Sequence, residues 1–224
     1  MKPTMYLIVL MAATWLAGAR TDAETTPTEW NTLAWRADNG QNSTWLWGAE
    51  LNTPVIGQLR AEVSYLQGRF NQGGDLEEND EVLALLEVAP SWWQAGLGFS
   101  YLGFRNELRR GFVWSYPEEE IERNADIYGP ALRLRASTPA AESGFGVAGY
   151  GLLMPHDFGD LNDVDYNGRY VEFGVEGYWQ RDRLRLAAGY RFRYFDDVPR
   201  RIINDETFSR NNIDGITLSA AFLF

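Results

Sequence analysis

Residues 183–194 read Arg183-Leu184-Arg185-Leu186-Ala187-Ala188-Gly189-Tyr190-Arg191-Phe192-Arg193-Tyr194. Successive side chains of an extended strand point to opposite faces, so this stretch separates into two rows. Leu184, Leu186, Ala188, Tyr190, Phe192 and Tyr194 make one row apolar, while Arg183, Arg185, Arg191 and Arg193 make the other cationic. The same period runs upstream, where Val171, Phe173, Val175 and Trp179 alternate with Tyr170, Glu172, Gly174, Glu176 and Tyr178. It also runs to the end of the chain, with Ile216, Leu218, Ala220, Phe222 and Phe224 against Gly215, Thr217, Ser219, Ala221 and Leu223. Residues 92–101 and 58–65 repeat it, and no stretch has the i, i+3, i+4, i+7 spacing of an amphipathic helix. The fold class is all-β.

Turn chemistry divides the alternating region into strands. Short connections are expected at 52–57, 90–91, 138–143 and 181–182, and longer polar ones near 71–80, 106–125, 156–166 and 196–212. With a further break at 39–43, the reading is ten strands: 30–38, 44–52, 58–70, 81–89, 92–105, 126–137, 144–155, 167–180, 183–195 and 213–224. Eight is the alternative if residues 30–52 do not form two. Segment 144–155 is ambiguous, because Phe145 and Val147 favour one face while Tyr150, Leu152 and Met154 favour the other. A turn at Arg181-Asp182 would set Glu172 opposite Arg191, one centred on Val55 would set Glu50 opposite Arg60, and one at Pro90-Ser91 would set Val82 opposite Phe99.

Composition limits the chemistry. The chain has 224 residues, 45% of them hydrophobic and 14% aromatic, which excludes disorder as its main state. The absence of cysteine excludes disulfides, thiolate metal sites, a cysteine nucleophile and a lipidated N-terminal cysteine. A formal charge of -11 argues against nucleic acid, which requires a basic face. The N-terminus has Lys2, an apolar run from Met5 to Leu16 and then small residues, the pattern of a secretory signal peptide. Cleavage fits after Ala19 or Ala23; the second is preferred, making residues 1–23 the signal and 24–224 the barrel. The remaining chain carries 18 arginines, no lysine and 30 acidic residues.

Alternation alone does not say which face is wet. A soluble barrel hides its apolar row, whereas a transmembrane barrel turns it to lipid and keeps polar groups inside. Trp45, Trp47, Trp93, Tyr101, Tyr128, Trp179 and Tyr194 lie near strand ends, where interfacial aromatic girdles belong, and the strands have bilayer-spanning length. The sided arrangement of short and long connections adds to this. On these features the chain resembles the small outer-membrane β-barrel proteins of Gram-negative bacteria, most specifically in a final alternating strand ending in Phe224 with Phe222 two residues before it. The resemblance implies a transmembrane antiparallel up-and-down barrel in the outer membrane. It also implies contact with membrane lipid and lipopolysaccharide, and a terminal signal at Phe222 and Phe224 read by the outer-membrane assembly machinery.

The polar rows then become a lumen lined by Glu50, Arg60, Glu62, Arg133, Arg135, Glu172, Glu176, Arg185, Arg191 and Arg193. Two roles fit them: a paired structural core, or a charged constriction biased toward anions. His156 is the only histidine, but Phe158 stands where the lipase-like outer-membrane enzymes place serine, and Asp157 with Asp196-Asp197 only loosely imitates an omptin-like protease. Asp163-Val164-Asp165-Tyr166-Asn167-Gly168 opens like a calcium loop but has Gly174 at the twelfth position. Asp75, Glu77, Glu78, Asp80 and Glu118 to Glu120 read as solvated loop charges, and Arg109 to Pro117 as a basic-aromatic lid or contact segment. The expectation is a non-enzymatic barrel without metal or cofactor, serving a structural, surface-interaction or narrow-pore role. The alternatives are a rim enzyme acting on lipid or peptide and a soluble lipocalin-like binder.

Overall fold

Strands rich in β-branched and aromatic residues, each with one apolar face, need neighbours on both edges, and a ring supplies them without leaving an edge. The computed structural model describes residues 27–38, 43–72, 75–90, 92–108, 121–138, 143–155, 158–161, 164–166, 169–196 and 212–224. Its strands are β1 (Glu29–Asp38), β2 (Ser43–Ile56), β3 (Leu59–Gln72), β4 (Asp75–Val88), β5 (Trp93–Leu108), β6 (Ile121–Ser137), β7 (Ser143–Met154), β8 (Phe158–Leu161), β9 (Val164–Tyr166), β10 (Arg169–Arg181), β11 (Leu184–Asp196) and β12 (Asn212–Leu223). Ten of them close an antiparallel ring in the order β5-β4-β3-β2-β1-β12-β11-β10-β7-β6, with β6 returning to β5. Residues 29–56 form two strands, so the eight-stranded alternative is set aside. Strands β8 and β9 form a small hairpin beside β6, outside the ring.

The ring is sealed where the chain ends meet. Strand β1 pairs with β12 from Glu29↔Leu223 to Asp38↔Asp214, and Thr28 and Phe224 exchange two backbone hydrogen bonds of 2.9 Å. Both ends therefore lie at the rim that carries the tight turns, here called the turn end; the opposite rim is the loop end.

The apolar row faces outward. Leu97, Leu134, Phe145, Phe173, Val175, Leu186 and Leu218 are exposed, and Glu62, Glu87, Glu172 and Arg193 are buried inside. Along β11 the outward row from Leu184 to Tyr194 rises about 34 Å, or roughly 24 Å once tilted, which matches the lipid-facing band of a membrane barrel. Trp30, Trp93 and Phe222 mark the turn-end edge of this band and Trp45, Trp47, Tyr128 and Tyr194 the loop-end edge, all at least 38% exposed. Strand β7 keeps one alternation of faces: Phe145, Val147 and Leu153 face out, whereas Leu152 and Met154 are buried inside.

Three expected registers are corrected, each by an even number. Glu172 lies opposite Arg193, Glu50 opposite Ser64, and Val82 opposite Tyr101. The turn residues explain the shifts. The β10–β11 turn is Asp182-Arg183, with Asp182 at φ 51°, a left-handed conformation that aspartate tolerates better than arginine. Gly57, at φ 55°, opens the β2–β3 turn, and Pro54 and Val55 are absorbed into β2 through a bulge. Residues 89–92, rather than two residues, join β4 to β5. An even slip keeps every side chain on its face, and an odd slip would drive arginines into the apolar band, so patterning determines parity and turn chemistry determines the remainder.

Two of the long polar connections are also corrected. Strands β3 and β4 continue to Gln72 and from Asp75, and β5 and β6 to Leu108 and from Ile121, so the pairing extends well beyond the apolar band.

Candidate functional site

The inward residues form three zones. At the loop end, Trp35, Leu46, Leu66, Leu102, Ile127, Met154, Phe195 and Ile213 pack into an apolar cluster inside the barrel. Inward apolar residues were not part of the sequence expectation, because the expected lumen was polar along its whole length.

Beneath this cluster lies the first ionic zone. Arg191 and Arg193 are two apart on β11 and so share a face. Arg191 reaches Glu81 at 3.0 Å and Glu172 at 2.8 Å; Arg193 reaches the same two carboxylates at 2.5 and 2.7 Å. Tyr150 and Tyr170 donate their hydroxyls to Glu172 at 2.8 and 2.5 Å. The guanidinium centres of Arg191 and Arg193 sit 4.6 and 5.1 Å from the Trp35 ring centroid, capping the charges with a π face. Arg193 is 0% exposed and Glu172 2%, so neither charge is compensated by bulk water.

The second ionic zone lies toward the turn end. Arg133 binds Glu62 through both terminal nitrogens and Glu87 at 2.8 Å, and both carboxylates accept from the Asn52 amide at 3.1 and 3.3 Å. Arg60 donates to the Asn52 side-chain oxygen at 2.5 Å and to the Pro27 carbonyl at 2.9 Å. At the turn-end rim Arg185 bridges Gln180 and Glu29 at 3.0 to 3.1 Å. Between the zones, a cavity of about 90 Å³ is lined by Asn31, Glu50, Ser64, Arg135, Glu176 and Thr217, among others. Arg135 there stands 3.3 Å from Glu176 and 3.9 Å from Glu50.

All ten residues expected in the lumen, Glu50, Arg60, Glu62, Arg133, Arg135, Glu172, Glu176, Arg185, Arg191 and Arg193, thus lie on the inner face. Sequence reasoning missed Glu29, Glu81, Glu87, Asn52 and Trp35. The signal for Glu81 and Glu87 was present in their shared parity opposite Val82, Ala84, Leu86 and Val88. Including them changes the electrostatics. Among the described residues, six inward guanidiniums in these networks face seven carboxylates, so the inward charges are close to balanced instead of Arg-rich.

Phe222 and Phe224 project outward at the turn end, their rings 6.1 Å apart and about half exposed. Segment 1–23, expected as a signal peptide, with His156, Asp157, Asp197, Arg109 to Pro117 and Asp163, Asn167 and Gly168 of the segment that opens like a calcium loop, lies outside the described residues.

A closed antiparallel ring with an apolar exterior and a salt-bridged interior defines a membrane-spanning β-barrel. No protein-family model matches the chain, and no curated protein matches its sequence. Among solved structures it is similar to an anion-selective porin from Comamonas acidovorans, with 14% identity over 87% of this chain and a TM-score of 0.34. The chain spans about half of that porin's length, 56%. It is also similar to the translocator domain of autotransporter NalP from Neisseria meningitidis, with 9% identity, 99% of this chain and 97% of that one covered, and a TM-score of 0.36.

Proposed function

We propose that this chain is a resident barrel of a Gram-negative outer membrane with a non-enzymatic, structural or surface-interaction role, its lumen closed to ions by its own side chains. The observation that carries this reading is the occlusion of the interior. Trp35 and Arg193, in the loop-end half, and Glu62 and Glu87, in the turn-end half, are each no more than 1% exposed. A permeating ion would have to separate Arg193 from Glu81 and Glu172, and then Arg133 from Glu62 and Glu87, in surroundings where charges are poorly hydrated. The apolar exterior supports membrane residence against the soluble alternative, which needs the same row inside.

Purified chain added to planar bilayers is expected to give no discrete conductance above that of the bare membrane. A steady open level in the native protein would overturn the closed-lumen reading and restore the narrow pore.

Interaction with the outer-membrane assembly machinery is proposed at Phe222 and Phe224, exposed beside the closing seam. Phe224→Ser keeps the backbone bonds to Thr28 but removes the ring. The variant is expected to reach the folded, heat-modifiable form in cells several-fold less often than the parent, while refolding into detergent as well as the parent does. Equal folded yields in cells would sink this assignment.

A further inference from the structure

The wall of the barrel is uneven. The β6–β7 ladder runs from Leu132↔Leu153 to Ser137↔Ala148, with one further backbone bond from Thr138 to Val147, whereas β5 and β6 pair from Trp93↔Ala136 to Leu108↔Ile121. Extending the β6–β7 register by two places brings Pro155 opposite Pro130, and pairing on this side of β6 resumes at Tyr128 with Phe158 of β8, one residue out of register. Proline has no N–H, so a rung flanked by two prolines has no donor to lose when the strands part. In a bilayer, where an orphaned backbone donor finds no water to bond, that rung is the least costly place to separate this wall.

Both sides of the gap are apolar. Outside, Tyr128, Leu132 and Leu153 are exposed to lipid at the loop-end edge of the band. Below the gap the outer surface is smooth, since Gly151 lies opposite Leu134 and Gly149 opposite Ala136. A Cβ at Gly151 would meet nothing within 4 Å, so packing does not demand glycine there. Inside, Ile127, Ala131, Leu152 and Met154 are buried in the internal apolar cluster, and the cavity beneath it is walled partly by Leu33, Leu66, Leu83 and Leu152.

We propose that the β6–β7 seam at Pro130 and Pro155 is a lateral port through which an acyl chain of a membrane lipid enters the internal apolar layer. The occupant follows from the surroundings: a hydrocarbon chain finds apolar side chains before, within and behind the gap, whereas an ion or sugar would be desolvated without a partner. This port goes beyond the proposed role, and it opens through the wall instead of along the closed axis.

Met154 is the only methionine beyond Met11, so photo-methionine labelling places a single carbene precursor behind the gap. The full chain, labelled in cells, is extracted and transferred to dimyristoylphosphatidylcholine vesicles before irradiation. A lipid-mass adduct on the peptide containing Met154 is expected. Moving the probe to Leu223, by Leu223→Met with Met154→Leu, places it at the turn end, outside the internal apolar cluster and on a wall paired on both sides, and the adduct is expected to vanish. Pro130→Val with Pro155→Val restores two donors and is expected to lower the Met154 adduct several-fold in protein that keeps heat-modifiable mobility. No adduct at Met154, or equal adducts at the two probe positions, would overturn the port. Neither result bears on conductance, so this proposal and the closed-lumen reading fail separately.

Discussion

Glu172→Ala is expected to destabilise the folded barrel by about 3–5 kcal/mol, the range for removing one partner of a buried ionic network. Glu172 accepts from Arg191, Arg193, Tyr150 and Tyr170. Without it, both guanidiniums depend on Glu81 alone, inside a wall with lipid on its other side. The measurement is urea unfolding in detergent micelles or vesicles, followed by tryptophan fluorescence, with Trp35 close to the affected charges. Arg69→Ala provides the contrast. It breaks the Arg69–Glu78 pair, which is largely exposed and is expected to contribute no more than about 1 kcal/mol. If the two variants unfold alike, the inner network is not what holds the interior together. Replacing the whole group by apolar residues of similar volume is a different experiment, and could be neutral, because the desolvation cost of the charges would disappear with them.

Val175→Arg is expected to cost about 2–4 kcal/mol, the penalty for arginine on the lipid face near mid-membrane. Val175 lies near the middle of β10, points outward and is 57% exposed, flanked across the strands by Gly149 and Tyr190. Soluble-barrel logic predicts the opposite, since an exposed valine changed to arginine would cost almost nothing. Val171→Arg, two outward positions nearer the loop end, should fall to about 0–1 kcal/mol because the guanidinium can reach the interface. A flat response across the two positions, by the same unfolding measurement, would mean that hydrocarbon does not surround this face.

The even offset of the three misjudged hairpins shows where sequence reasoning stops. Alternation in Leu184 to Tyr194 assigns a face to each residue, because a one-residue slip exchanges the whole apolar row for the ionic one. A slip of two exchanges nothing that composition can detect. That choice falls to Asp182 and Gly57, whose positive φ positions each turn, and it is why Glu172 meets Arg193 across the strand and still reaches Arg191 beside it. Strand β7 shows the same division. Its mixed row looked ambiguous because Gly149 and Gly151 leave the outward row weak, and pairing with β6 and β10 resolved it.

The sequence by itself determined an all-β chain of alternating strands and sorted its side chains into an apolar row and an ionic row that holds the ten expected charges, since both follow from the two-residue period. Only the tertiary structure decided which carboxylate meets which guanidinium, that Glu81 and Glu87 balance the lumen, that an apolar cluster closes its loop end and that Pro130 and Pro155 face each other in the wall. Those depend on strand register and ring closure, which bring together residues as distant as Glu81 and Arg193, and no local pattern encodes that distance.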